Sequence, residues 1–80
     1  MKIHALFFGM SKDLAGQSKA SVELEEGKTV KEFRELLQQK YPSFSTMDTY
    51  AVAVNETYAD EEFVLSDKDT VAIIPPVSGG

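Results

Sequence analysis

Thr29-Val30-Lys31-Glu32-Phe33-Arg34-Glu35-Leu36-Leu37-Gln38-Gln39-Lys40 is the stretch on which the fold turns. Thr29 and Glu32 have capping-box spacing, so each side chain can accept a hydrogen bond from the other residue's backbone N–H. Val30, Phe33, Leu36 and Leu37 then recur at i, i+3, i+6 and i+7 as one apolar stripe. Lys31, Arg34, Glu35 and Gln38 occupy the remaining face. Pro42 biases Tyr41 away from helical geometry, which predicts a helix ending near Lys40.

On both sides of this helix the period shortens to two. Lys2 to Phe8 is a short apolar run rich in strand formers, and Ala20 to Glu25 alternates apolar with polar. Between them Ser11 to Lys19 is polar, with Gly9 before it and Gly16 inside it, and is expected to be a loop with room for one helical turn. Glu26-Gly27-Lys28 breaks the second strand. Beyond the helix, Thr49 to Asn55 alternates, with Tyr50, Val52 and Val54 on one side and Ala51, Ala53 and Asn55 on the other. Asn55-Glu56-Thr57 suits a turn, and a minor extended piece begins at Tyr58. Asp60-Glu61-Glu62 and Ser66-Asp67-Lys68-Asp69 are surface loops by composition, with Phe63 and Leu65 expected as anchors. Thr70 to Ile74 is the last strand, ended by Pro75-Pro76.

The order is therefore strand, strand, helix, strand, minor strand, strand. It predicts one mixed sheet with a helix across a single face, an α+β ubiquitin-like β-grasp over residues 1–74 with an extended tail over 75–80. Alternation also predicts facing. Ile3, Ala5 and Phe7 are expected toward the helix with Val71 and Ile73. His4, Leu6 and Phe8, together with Ala72 and Ile74, then lie on the open face. Apolar residues on both faces imply a central strand or a docking surface.

Composition narrows the chemistry. The chain has 80 residues, no cysteine, 42% apolar and 26% charged residues, and a formal net charge of −5. That is enough apolar content for one core and too little length for two. Thirteen acids against eight bases repel phosphate, so nucleic acid is not an expected partner. No apolar run approaches the roughly 18 to 20 residues of a membrane span, and no secretory leader pattern opens the chain, so no membrane and a cytoplasmic location are expected. Cysteine-based metal sites and thiol catalysis are excluded. His4 is the single histidine and has no partners at metal-ligand spacing, so no metal site is expected and a surface histidine is the better reading. Asp67 and Asp69 suit a solvated turn, and Glu23, Glu25 and Glu26 an edge whose charge discourages pairing. Ser11, Ser18 and Ser78 have no visible activating base. No independent active site emerges.

The informative segment is Ile73-Ile74-Pro75-Pro76-Val77-Ser78-Gly79-Gly80. Two prolines stiffen the exit from the sheet. Six residues from Pro75 reach roughly 20 Å when extended, and Ser78, Gly79 and Gly80 add almost no side-chain bulk. Such a tail suits delivery of the Gly80 carboxylate into another protein's narrow site. The segment resembles the ending of the small subunits of molybdopterin synthases, which are ubiquitin-like sulfur carriers. Leu6-Phe7-Phe8, Lys12-Asp13-Leu14-Ala15-Gly16, Val54-Asn55-Glu56-Thr57 and Leu65-Ser66-Asp67-Lys68-Asp69-Thr70-Val71 extend the resemblance over nearly the whole chain. Lys68, where that family often has glycine, and Ile74, where it often has an aromatic, are departures outside the tail.

The resemblance implies that Gly80 is the reacting residue. An adenylating enzyme related to ubiquitin-activating enzymes uses ATP on its carboxylate, sulfur converts it to a thiocarboxylate, and no cofactor is bound by the chain itself. Pro75, Pro76, Val77, Ser78 and Gly79 then thread into the large subunit of the synthase, in a heterotetramer, where the sulfur passes to a pyranopterin precursor. The chain is on this view no enzyme on its own but the sulfur-donating component of one. Phe8 and Ile74, from the facing argument, and Tyr58, from the resemblance, form the expected partner-binding patch. Two alternatives are a ubiquitin-like modifier conjugated to lysines through Gly80 and a thiamin-pathway sulfur carrier. A plain interaction module with an unmodified terminus is a third.

Overall fold

The computed structural model describes residues 1–46 and 50–75. Thr49 and the tail from Pro76 to Gly80 lie outside the described residues. In chain order the elements are β1 (Lys2–Phe7), α1 (Met10–Ala15), β2 (Lys19–Glu23), α2 (Val30–Lys40), a 3-10 turn (Pro42–Thr46), β3 (Ala51–Val54), β4 (Thr57–Tyr58) and β5 (Thr70–Ile74). The five strands make one sheet in the order β2-β1-β5-β3-β4. β1 and β5 run parallel and every other pair is antiparallel, so the sheet is mixed. With α2 as its main helix, this is the ubiquitin-like β-grasp.

α2 starts where its sequence says. Glu32 N–H donates to Thr29 Oγ1 at 3.4 Å and Thr29 N–H to Glu32 Oε1 at 3.0 Å, completing the capping box. The other first-turn donors are met as well, since Val30 N–H reaches the Phe63 carbonyl at 2.9 Å and Lys31 N–H the Glu61 carbonyl at 3.0 Å. Val30, Phe33 and Leu37 are buried, and Leu36 is half-buried at the margin of the stripe. Phe33 has no exposed surface, and its burial is worth about 1.5–3 kcal/mol. Facing it are Ile3, Ala5, Phe7, Val22, Val52, Val54, Val71 and Ile73 from the sheet, all buried. The facing argument therefore holds for β1 and β5.

Two expectations need adjustment. The room for one helical turn near Ser11 to Lys19 is filled by α1, which spans Met10–Ala15, starts one residue earlier and ends at Gly16 in the left-handed conformation, its N–H on the Lys12 carbonyl. Phe63 is no anchor: its ring is 44% exposed and Val64 is 55% exposed, while Leu65 alone is buried. The Phe63 contribution is its carbonyl, which docks on the α2 start. The core also has a member without periodic neighbours, Phe44 in the 3-10 turn. It is fully buried, stacked on Tyr41 at 5.3 Å and edge-on to Phe7 at 5.8 Å.

The turns are set by left-handed residues. Asn55 and Glu56 have φ of 50° and 71°, as a two-residue hairpin between β3 and β4 requires. Lys68 has φ 69°, and its N–H donates to the Lys2 carbonyl at 2.7 Å. A lysine therefore sits where glycine would be unstrained. Asp67 and Asp69 are structural acceptors rather than an acid/base pair. Asp67 Oδ1 takes the Lys2 N–H at 2.7 Å, and Asp69 takes the Ser66 N–H at 2.8 Å and Asn55 Nδ2 at 2.9 Å.

Two carboxylates link this geometry to pH. The Lys2 N–H holds the Asp67 carboxyl below its ordinary range, helped by the amino terminus, Lys68 and Lys2. The Thr29 N–H, then Lys28, do the same for Glu32. A depressed folded pKa stabilises fully above the unfolded value, and the contribution is lost as pH falls through the folded one. Asp67→Asn is therefore expected to melt below wild type at about pH 6, with the gap closing toward about pH 3. A gap independent of pH in thermal melts would show that the Asp67 charge contributes nothing.

Candidate functional site

The tail leaves from the middle of the sheet. β5 lies between β1 and β3, and its last bond toward β1 runs from Phe8 N–H to the Ile73 carbonyl at 3.3 Å. Pro75 has no N–H to continue the ladder. Beside it Gly9 turns the chain with φ 53° and ψ −131°, a conformation that strains any residue with a Cβ. A Cβ there would stand 3.8 Å from Pro75 Cγ, so the proline ring lies next to this glycine. Ser11, the next inward-facing residue, is fully buried, and its hydroxyl donates to the Phe8 carbonyl at 2.6 Å.

Strand register lays out the open face, because paired residues point to the same side. One row runs Lys19, Leu6, Ala72, Ala53, Tyr58 across all five strands. The next row, toward the tail, places Phe8 beside Ile74 and Ala51, continuing the Phe7–Ile73 and Ala51–Ile74 pairings. Phe8 is 50% exposed, Tyr58 is 72% exposed, and Ile74 is half-buried. Ala53 is buried although it lies on this face. The two alanines thus form a low floor between Leu6 and Tyr58 in this row, with Phe8 and Ile74 in the next. A cleft at the Phe8 end is lined by Leu6, Phe8, Gly9, Lys12, Ser18 and Lys19, with two cations and no carboxylate.

The structure brings Phe8 and Ile74 together and holds Tyr58 apart. Tyr58 is on β4 and Phe8 follows β1, three strand spacings away, or about 14 Å. Pro75 stands at the root of the tail, whereas Pro76, Val77, Ser78, Gly79 and Gly80 lie outside the described residues. Sequence reasoning missed Gly9, Ser11 and the alanine floor. The signal for Ser11 was its place in Met10–Ala15, ahead of Leu14 and Gly16. His4 is exposed on β1. Among the described residues no three His, Cys, Asp or Glu side chains converge on a point, and no helix is long and apolar enough to cross a membrane.

Comparison with known proteins places this geometry. The ThiS family matches residues 5–80. The whole chain is 36% identical over 83 residues to the molybdopterin synthase sulfur carrier subunit of Drosophila yakuba, covering 92% of that protein. It is 35% identical to the protein of the same name from Chlamydomonas reinhardtii, with both covered completely. Among solved structures, SAMP1 from Haloferax volcanii aligns over 100% of both chains with a TM-score of 0.89 at 24% identity, which speaks for the fold. One chain of a complex of subunits 1 and 2 of molybdopterin-converting factor from Helicobacter pylori 26695 aligns with this chain over the full length of each at TM-score 0.72 and 27% identity. A match from residue 5 to residue 80 and full-length relatives above 30% identity lead to one assignment: the chain belongs to the ThiS family.

Proposed function

We propose that this chain is a sulfur carrier for molybdopterin synthesis and works through Gly80. The observation that carries the reading is the full-length similarity to proteins named molybdopterin synthase sulfur carrier subunit. The chemistry follows from the functional group. A carboxylate is a poor electrophile, and attack of its oxygen on the α-phosphorus of ATP expels pyrophosphate and leaves an acyl-adenylate. A sulfide-level sulfur then adds to the carbonyl carbon and expels AMP, giving the thiocarboxylate. An adenylating partner supplies ATP and its site, so this chain binds no cofactor.

In the second stage the tail enters a larger subunit that holds the catalytic side chains, and the sulfur passes to the pyranopterin precursor. The Helicobacter pylori relative, solved as a complex of two subunits, supports such a partner. Both partners must grip the same carboxylate, so they compete for the surface beside the tail: Phe8, Ile74, the alanine floor and Tyr58.

Intact mass spectrometry of the chain purified from its own cells tests the reading. The expected result is a fraction heavier by the exchange of one oxygen for sulfur, lost on alkylation of the thiocarboxylate. Lysine-linked adducts through Gly80 would favour a protein modifier instead. A terminus that stays an unmodified carboxylate after incubation with ATP, sulfur donor and activating enzyme would overturn the proposal.

A further inference from the structure

Ser11 is the one buried polar side chain among the described residues, and it sits at the root of the tail. Its hydroxyl donates to the Phe8 carbonyl at 2.6 Å, and the Ile73 carbonyl lies 3.4 Å away. A hydroxyl has one proton, and 3.4 Å is long for an O–H···O bond, so the proton belongs to Phe8. The Ser11 N–H donates to the same carbonyl at 3.1 Å. Phe8 is thus held twice from α1. Its own N–H makes the last bond to β5, at Ile73, two residues before Pro75. Between Phe8 and Ser11 the chain turns through Gly9, next to which the Pro75 ring lies.

A hydroxyl is costly to bury unless bonded, and alanine would fill nearly the same space. The Ser11 N–H already occupies the Phe8 carbonyl, so capping α1 alone does not require the side chain. What the hydroxyl adds is a fixed peptide plane at Phe8. That plane is the Phe8–Gly9 peptide; with the Phe8 N–H bond to Ile73, made by the preceding Phe7–Phe8 peptide, it holds the backbone on both sides of Phe8 and so fixes the direction of its ring on the open face.

We propose that Ser11 is a positioning residue, which through Phe8 and Ile73 fixes the direction in which the chain leaves the sheet at Pro75. The inference rests on the reading of Gly80 as the delivered end. Preorganisation of this kind lowers the ordering cost of docking. Once the tail is seated the partner holds it, so the loss falls on KM and not on kcat.

The test uses the full chain, converted to the thiocarboxylate, with the large subunit. In Ser11→Ala the Phe8 amide is expected to exchange with solvent about tenfold faster while the Phe33 amide is unchanged. KM for the carrier rises about three- to tenfold and kcat stays within about twofold. Val22→Ala, a core truncation in β2, serves as the destabilised control and keeps a wild-type KM. Ser11→Cys retains a weak donor and falls between wild type and Ser11→Ala; it carries the same readouts if the alanine variant does not fold. Faster Phe8 exchange with an unchanged KM would reduce Ser11 to a helix cap and overturn the proposal. So would an equal rise in KM in Val22→Ala. An inactive wild type strikes the reading of Gly80, whereas an active wild type with an unaffected Ser11→Ala strikes Ser11 alone.

Discussion

Deleting Gly80, or adding one residue after it, is expected to reduce sulfur transfer below detection in an assay reconstituted with both partners, with the melting temperature unchanged. The reacting carbon on the proposed mechanism is the Gly80 carbonyl. One residue shifts it by up to about 3.3–3.6 Å along an extended chain. Reacting atoms must lie about 3–3.5 Å apart, and a misplacement of 1 Å can cost about a hundredfold. The fold is indifferent, because its last buried residue among those described is Ile73, upstream of Pro75. Transfer at wild-type rate by the shortened chain would reject the terminal-carboxylate mechanism outright.

The second large effect is expected from Phe8→Ala combined with Tyr58→Ala. Burying a large apolar side chain is worth about 1.5–3 kcal/mol. Phe8 has half of its surface left to bury and Tyr58 about three-quarters. Together they amount to about 2–3.5 kcal/mol, or roughly 30- to 300-fold in affinity. The two residues stand three strands apart without shared partners, so their losses should add. Binding to the large subunit and to the activating enzyme should weaken in parallel, by calorimetry or interferometry, if one surface serves both as proposed. A double variant that stays folded and binds both partners as tightly as wild type would sink the docking surface.

How far the sequence reaches depends on whether a feature is local. α2 is legible because the capping box and the 3.6-residue stripe both lie within Thr29 to Lys40. β5 is legible to the residue, bounded as it is by Asp69 and Pro75. The facing of Phe8 and Ile74 follows from alternation, which is equally local. Their adjacency is not local, since it comes from a parallel pairing between opposite ends of the chain. The distance of Tyr58 likewise depends on strand order, which no window of sequence contains. α1 shows in the sequence only as room for one helical turn, because six residues offer too few apolar positions to show a period. Phe63 misleads because its side chain suggests burial while its carbonyl makes the contact. Ser11 looks like one more loop serine until α1 turns it inward against Phe8.

The strand order has a consequence for how the protein is made. β5 follows the other four strands along the chain, yet it occupies the middle of the sheet and joins the β2-β1 hairpin to the β3-β4 hairpin. Until it emerges from the ribosome the two hairpins share no hydrogen bonds. Each alone is a two-stranded unit of marginal stability. Completion of the sheet therefore waits for β5 and closes through contacts of long sequence separation, the slow kind. The same event that completes the sheet sets the direction of Pro75. A chain that lacks β5 has no folded base from which to present Pro75, so on the proposed function it would be a poor substrate for activation.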